Sequence, residues 1–134
     1  VQQTTTEELM TIREMSEAFE VTPRALRFYE SKALLAPYRT GQKRLYTKRD
    51  RGRLKLILRG KRFGLSLEEI REILDLYDRG SRNEAQLKRG CEIGRKRLAQ
   101  LESQRAELDE TIAELRVELA WFEDQSARHR PAAK

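Results

Sequence analysis

The chain has 134 residues, room for one small domain and an extension, with 38% hydrophobic and 37% charged residues and a formal net charge of +6. That balance suits a helical protein better than a large enclosed enzyme core, and no run of 18 apolar residues is present to span a membrane. One cysteine, Cys91, and one histidine, His129, exclude an intrachain disulfide, an all-cysteine metal site within one chain and a histidine-based catalytic constellation.

Residues 1–10 are polar and threonine-rich and read as a disordered tail without a secretory signal. With the single cysteine, this points to a reducing cytoplasm. Ile12, Met15, Ala18 and Phe19 then recur at helical spacing. Thr22 followed by Pro23 starts a second helix, threonine as N-cap and proline at the first helical position. Leu26, with either Phe28 or Tyr29, faces inward from it. Only Glu20 and Val21 separate the two patterns, so the pair reads as a helix-turn-helix.

Leu34, Leu35 and Pro37 stop the helical pattern. The basic run between Tyr38 and Tyr46, with Gly41 near its centre, predicts a β-hairpin with a loop of several residues. Thr47 and Asp50 have N-cap and N3 spacing and open a helix carrying Leu54, Ile57, Leu58 and Phe63 on one side, with Gly64 closing it. Ser66 and Glu69 form a capping box, and Leu65 and Ile70 a hydrophobic staple. The next helix carries Ile70, Ile73, Leu74 and Tyr77 and is expected to end at Gly80.

The last segment is the most regular. Leu87, Cys91, Gly94, Leu98, Leu101, Arg105, Leu108, Ile112, Leu115, Leu119 and Phe122 alternate by four and three, and nine of the eleven are apolar. This is a coiled-coil seam. A domain this small cannot bury so long a helix, so Leu87, Cys91, Leu98, Leu101, Leu108, Ile112, Leu115, Leu119 and Phe122 are expected to meet another chain. From Asp124 the chain turns polar, and Pro131 discourages further helix. The expected organisation is therefore a tail (1–10), a DNA-binding domain (11–80), a dimerisation helix (81–124) and a second disordered tail (125–134).

Charge is unevenly placed. Thr11 to Gly64 holds 15 Lys and Arg against 5 Asp and Glu, whereas Leu65 to Lys134 holds 13 against 15. A local positive excess is a footprint for a polyanion. Thr22, Arg24, Arg27, Phe28 and Tyr29 form the expected groove-reading set on the second helix. Lys43, Arg44 and Tyr46 occupy the hairpin, where arginine and a tyrosine hydroxyl would rest on the sugar-phosphate backbone. Arg59, Lys61 and Arg62 form a second basic projection, although cations at a helix C-terminus also oppose its dipole. The plainer alternative is a solvated amphipathic helix and an ordinary turn. Cys91 admits a metal or thiol-sensor role, but its seam position favours packing as a small hydrophobe. Trp121, Phe122 and Tyr77 suit a small-molecule pocket or, more commonly, interface anchors. No nucleophile–base–orienter set suggests an enzyme, and no metal or cofactor is implied.

The ordered motifs resemble the MerR family of bacterial transcription regulators. They are I-R-E-M at 12–15, T-P-R-A-L-R-F-Y-E at 22–30, L-L-A-P at 34–37, R-L-Y at 44–46 and F-G-L-S-L-E-E-I-R-E-I-L at 63–74. The resemblance implies a mainly α fold, a winged helix-turn-helix followed by a long coiled-coil dimerisation helix. It implies a cytoplasmic, nucleoid-associated homodimer joined by an antiparallel coiled coil. That dimer would bind double-stranded promoter DNA at a pseudo-palindrome, distort the spacer and so align the promoter for RNA polymerase. By resemblance the DNA contacts are Thr22, Arg24, Arg27, Tyr29, Arg44 and Tyr46. Phe28 stands where many members have tyrosine. The C-terminal cysteines of metal-responsive members, the cysteine cluster of redox members and the appended effector domain of drug-binding members have no counterpart here, so no small-molecule effector is named. The stretch T-P-R-A-L-R-F-Y-E, with R-D-R-G-R-L-K-L-I-L-R-G-K-R at 49–62, is similar to a short subgroup associated with branched-chain amino acid, fatty acid and terpenoid catabolism. The alternative function is an architectural protein that bends DNA without an effector; a protein-interaction role for the coiled coil ranks third.

Overall fold

The computed structural model describes residues 8–78 and 84–129. In chain order these form β1 (Met10–Thr11), α1 (Ile12–Phe19), α2 (Pro23–Ser31), β2 (Tyr38–Thr40), β3 (Lys43–Tyr46), α3 (Lys48–Phe63), α4 (Leu67–Asp78) and α5 (Glu84–Arg128). The chain divides into two compact units at Gly90, so α5 begins in the first and accounts for the helical part of the second. The expected stop at Gly80 and the effect of Pro131 lie outside the described residues.

Helix starts follow local chemistry. The Thr11 hydroxyl accepts from the Glu14 amide while the Glu14 carboxylate accepts from the Thr11 amide. Thr47 with Asp50 and Ser66 with Glu69 repeat this reciprocal pattern. Each box satisfies two backbone donors that a helix start otherwise leaves open. At α2 the Thr22 hydroxyl accepts from the Ala25 amide at 3.0 Å, with Pro23 in the first turn. Gly64 ends α3 at φ 83°, a left-handed conformation that costs a residue without a Cβ little.

The three strands form an antiparallel sheet in the order β1-β3-β2, with Met10 opposite Tyr46 and Tyr38 opposite Leu45. Two expectations change here. Met10 is not tail but strand, and the Arg51 guanidinium holds the Glu8 carbonyl at 2.8 Å. A two-residue strand is too short to show any periodicity. The hairpin loop also spans only Gly41 and Gln42, since Thr40 pairs directly with Lys43. Gly41 takes φ 63° at the first central position, where tight hairpins need a positive φ.

The core of the first unit gathers Met15, Leu26, Tyr29, Leu34, Leu35, Tyr46, Leu54, Ile57, Ile70 and Leu74 into one cluster. Each aliphatic side chain buried this completely contributes about 1.5–3 kcal/mol. The helices α3 and α4 approach closely at Gly60, where an added Cβ would lie 2.7 Å from Cγ1 of Ile70. Phe63, on the side of α3 that carries Leu54 and Ile57, and Tyr77 of α4 are exposed.

Polar ties lock the cluster's rim. Asp50 is buried and accepts from the Ala36 and Thr47 amides, both at 3.1 Å, which fastens the 34–37 loop to the start of α3. The Nε of Arg53 donates to the Leu34 carbonyl at 2.8 Å, and its guanidinium also pairs with Asp78. Arg49 reaches the same carboxylate at 2.9 Å. Burial pushes the Asp78 carboxyl up, but the Arg49 hydrogen bond and the charges of Arg53 and Arg49 outweigh it and hold it below the usual range. Arg89, early in α5, donates to Glu72 of α4 at 2.8 Å, and this hydrogen bond lowers the Glu72 carboxyl.

Helix α5 runs 45 residues, about 68 Å at 1.5 Å per residue. It continues to Arg128, through positions expected to be disordered. Residues 125–128 contain no glycine or proline, and Arg128 pairs with Asp124 one turn back at 3.0 Å. Its positive charge also suits the helix C-terminus. Among the described residues no helix is long and apolar enough to cross a membrane.

Candidate nucleic-acid interface

Helix α2 divides its side chains cleanly. Leu26 and Tyr29 are buried, three residues apart on one face. Arg24, Arg27 and Phe28 are exposed, at the i, i+3 and i+4 spacing of one outward stripe. The sequence left open which aromatic turns inward; it is Tyr29, whose ring Phe28 meets edge-on at 5.9 Å. Phe28 remains 44% exposed, with the Lys32 ammonium 5.6 Å from its ring centre.

An open cleft lies beside this stripe, lined by Thr22, Arg24, Ala25, Phe28, Tyr29, Lys61, Leu65 and Leu67. Lys61 comes from the last turn of α3 and stands 6.0 Å over the Tyr29 ring. Two elements distant in sequence thus bring cations together around one groove. Arg59 and Arg62 are exposed but do not line it.

The wing is tied to α2 by a residue that sequence reasoning missed. The Glu30 carboxylate accepts from Arg44 Nε at 2.9 Å and from Arg39 Nη1 at 3.1 Å. Arg39 and Arg44 sit directly opposite each other in the β2–β3 ladder. Two facing arginines repel, and Glu30 offsets that repulsion while clamping the wing to α2. Half-buried Arg44 spends its Nε on this clamp, whereas Lys43 stands exposed next to the turn. No spacing rule links position 30 to 39 and 44, because the contact is made only when hairpin and helix pack.

Two expected DNA contacts become core residues. Tyr29 is 2% exposed and Tyr46 is fully buried on β3, the central strand. The Tyr46 hydroxyl is buried without a hydrogen-bond partner. Burial pushes its phenol above the ordinary 10.0, the Glu30 carboxylate adds to that, and Arg44 opposes it. Tyr46, the last residue of β3, joins the core cluster of the first unit. The Tyr46 hydroxyl is not offered to a nucleic acid in this conformation.

On α5 the seam residues Leu87, Leu98, Leu101, Leu108, Ile112, Leu115, Leu119 and Phe122 are all exposed, as is the free thiol of Cys91. The one buried side chain of the helix, Ile93, lies off the seam. Trp121 and Phe122 meet edge-on at 4.9 Å, both largely exposed. Among the described residues no three His, Cys, Asp or Glu side chains form a group able to hold a metal.

Comparison with known proteins places this geometry. A family model described as "MerR HTH family regulatory protein" matches residues 10–76, and one described as "MerR, DNA binding" matches residues 51–117. The HTH-type transcriptional regulator ZntR of Escherichia coli is 38% identical over 99 residues, which cover 72% of this chain and 69% of that protein. A MerR-family transcriptional regulator from Bacillus cereus, solved by crystallography, is 30% identical with a TM-score of 0.60, covering 93% of this chain and 87% of the other. The fold is also that of HiNmlR, a MerR family regulator lacking the sensor domain and bound to promoter DNA, at TM-score 0.67 and 23% identity over 89% of each chain.

Proposed function

This chain belongs to the MerR family of DNA-binding transcription regulators, and we propose that it acts as a homodimer on a pseudo-palindromic promoter element. The observation that carries the reading is the division of α2. Leu26 and Tyr29 anchor the helix in the core, which leaves Arg24, Arg27 and Phe28 outside as a rigid stripe. Residues held by packing keep the geometry that base recognition needs. Arg27 is assigned to a base edge or phosphate, and Arg24, Lys43, Lys61 and Thr22 to the backbone around it.

The dimer reading rests on α5. A row of leucines half in water on a single helix leaves apolar area that a second copy would cover. Charge favours an antiparallel pair. Residues 84–104 carry five Lys and Arg against three Glu, and residues 105–128 carry three Arg against seven Asp and Glu. Antiparallel helices oppose these unlike halves; parallel ones oppose like with like. Two reading units joined this way would grip two half-sites and supply the energy to distort the spacer between them, so that RNA polymerase meets an aligned promoter.

Footprinting of bound genomic sites tests the proposal. The expected result is two protected half-sites related by a dyad inside a promoter spacer, with affinity well above that for random duplex. Protection without sequence preference would instead mark an architectural DNA-bending protein and overturn the regulator's operator reading.

A further inference from the structure

We propose that Glu30 is a positioning residue for DNA selectivity: it holds Arg39 and Arg44 in a fixed direction and so withholds them from the phosphates of an undistorted duplex of random sequence. The inference rests on the regulator reading above and goes beyond it by giving a role to an acidic side chain that does not itself touch DNA.

Glu30 is the one carboxylate of α2 and lies three residues after Arg27, a spacing that sets the two on neighbouring turns of the same side. Its Oε1 accepts from Arg39 Nη1 at 3.1 Å and from Arg44 Nε at 3.3 Å, and its Oε2 accepts from Arg44 Nε at 2.9 Å. Both carboxylate oxygens are thus occupied, and each guanidinium is held through one of its nitrogens. The pair is partly shielded from water, since the Arg44 and Glu30 side chains keep 21% and 22% of their full exposure. The charges of Glu30, Arg44 and Arg27 all reach the buried Tyr46 hydroxyl, so an arginine of the helix and one of the wing converge on one place.

The cations of this surface are therefore of two kinds. Arg24, Arg27 and Lys43 are exposed, and among the described residues their side chains make no ion pair or hydrogen bond within the chain. They can swing to whichever phosphate is near. Arg39 and Arg44 cannot. Turning either away breaks a charge-assisted hydrogen bond and strips a half-shielded carboxylate of a partner, which costs more than parting a fully exposed pair. The carboxylate also repels an approaching phosphate. Only a phosphate lying where the remaining nitrogens already point gains the contact. A duplex deformed to fit the protein brings one there, and an undeformed one does not.

The salt dependence of binding by the intact chain tests this with two probes, the footprinted operator duplex and a random duplex of equal length. Glu30→Gln keeps the size and one acceptor oxygen but removes the charge. It should bind random duplex more tightly than wild type. Its plot of log affinity against log salt should steepen by about 0.9 for each arginine that gains a phosphate. Two such contacts mean a roughly tenfold greater loss of random-duplex affinity between about 50 and about 200 mM salt. Preference for the operator should fall several-fold. Arg39→Gln is the second arm. Alone it should leave the random-duplex slope unchanged, because Arg39 is withheld there; in the Glu30→Gln chain it should take back about half of the steepening. A clamp that merely holds the wing in place gives the opposite sign: the glutamine variant melts lower and binds both duplexes more weakly, and the proposal is overturned. It is overturned equally by an unchanged slope in Glu30→Gln, or by a lowered slope in Arg39→Gln alone. Should Glu30→Gln not fold, that last arm decides. A wild-type protein that binds both duplexes equally removes the operator reading, whereas the slopes still judge the clamp.

Discussion

The first unit and the α5 arm handle their leucines in opposite ways. Leu26, Leu34 and Leu54 are fully buried within one chain, whereas Leu98, Leu108 and Leu115 are more than half exposed. The first unit closes its own core and reinforces the rim with Asp50, Arg53 and Glu30. Along the arm from Gly94 to Arg128 no residue is buried. The lesson is thermodynamic. The first unit closes its core within one chain, whereas in the proposed dimer the arm would draw stability from association and so depend on protein concentration.

The sharpest way to break the contrast is Leu108→Lys with Leu115→Lys. Both charges enter the proposed seam and none enters the core. The dimer should be lost at micromolar concentration by analytical ultracentrifugation. Tertiary signals from Tyr29 and Tyr46 should persist; a variant that stays dimeric would show that the seam is not the interface. Gly60→Val attacks the other region. Its Cβ would lie within 3 Å of Ile70 at the α3–α4 contact, so thermal or urea unfolding should report a loss of about 1–3 kcal/mol. An unchanged midpoint would mean that the contact relaxes freely.

Arg27→Ala tests function with both frameworks intact. Operator affinity should fall by on the order of 1–3 kcal/mol if Arg27 reads a base. A base reader also loses discrimination between operator and random duplex, whereas a phosphate contact weakens both and lowers the salt slope. Wild-type affinity in this variant would take Arg27 out of the interface. The smallest effect is expected at Asp78. Its carboxyl is held below the ordinary 3.8 in the folded chain. Its contribution to stability is therefore present above that value and lost as the pH falls through the depressed folded one. Asp78→Asn should remove this part of the acid dependence and cost under about 1 kcal/mol at neutral pH, because the pair lies near the surface. Identical acid-unfolding curves for the two proteins would count against the Arg49–Asp78–Arg53 link.

Much of the fold was legible because the informative signals were local. Thr11, Thr22, Thr47 and Ser66 each act within three residues of themselves, and capping chemistry needs no tertiary partner. The heptad spacing of α5 is legible for the same reason: the period is a property of one helix. The placement of the α2 and wing side chains was legible in part. Arg24 and Arg27 lie outward on α2, the sequence left open whether Phe28 or Tyr29 turns inward, and it is Tyr29 that does, as does Tyr46 of the wing. An aromatic carries both a large apolar ring and a polar tip, so its sequence alone does not say whether the ring or the hydroxyl decides its place.

What the sequence by itself determined was therefore the order of the helices and the hairpin, though not β1, together with their caps, the location of the positive charge and the periodic apolar seam. Each of these depends on neighbours a few residues away. The tertiary structure alone decided that Met10 pairs with Tyr46, that Glu30 clamps two wing arginines, that Lys61 joins Arg24 at one cleft and that Tyr29 rather than Phe28 fills the core. The first three join residues between nine and 37 positions apart in sequence, and all are settled by how whole faces pack and exclude water, a condition no local pattern encodes.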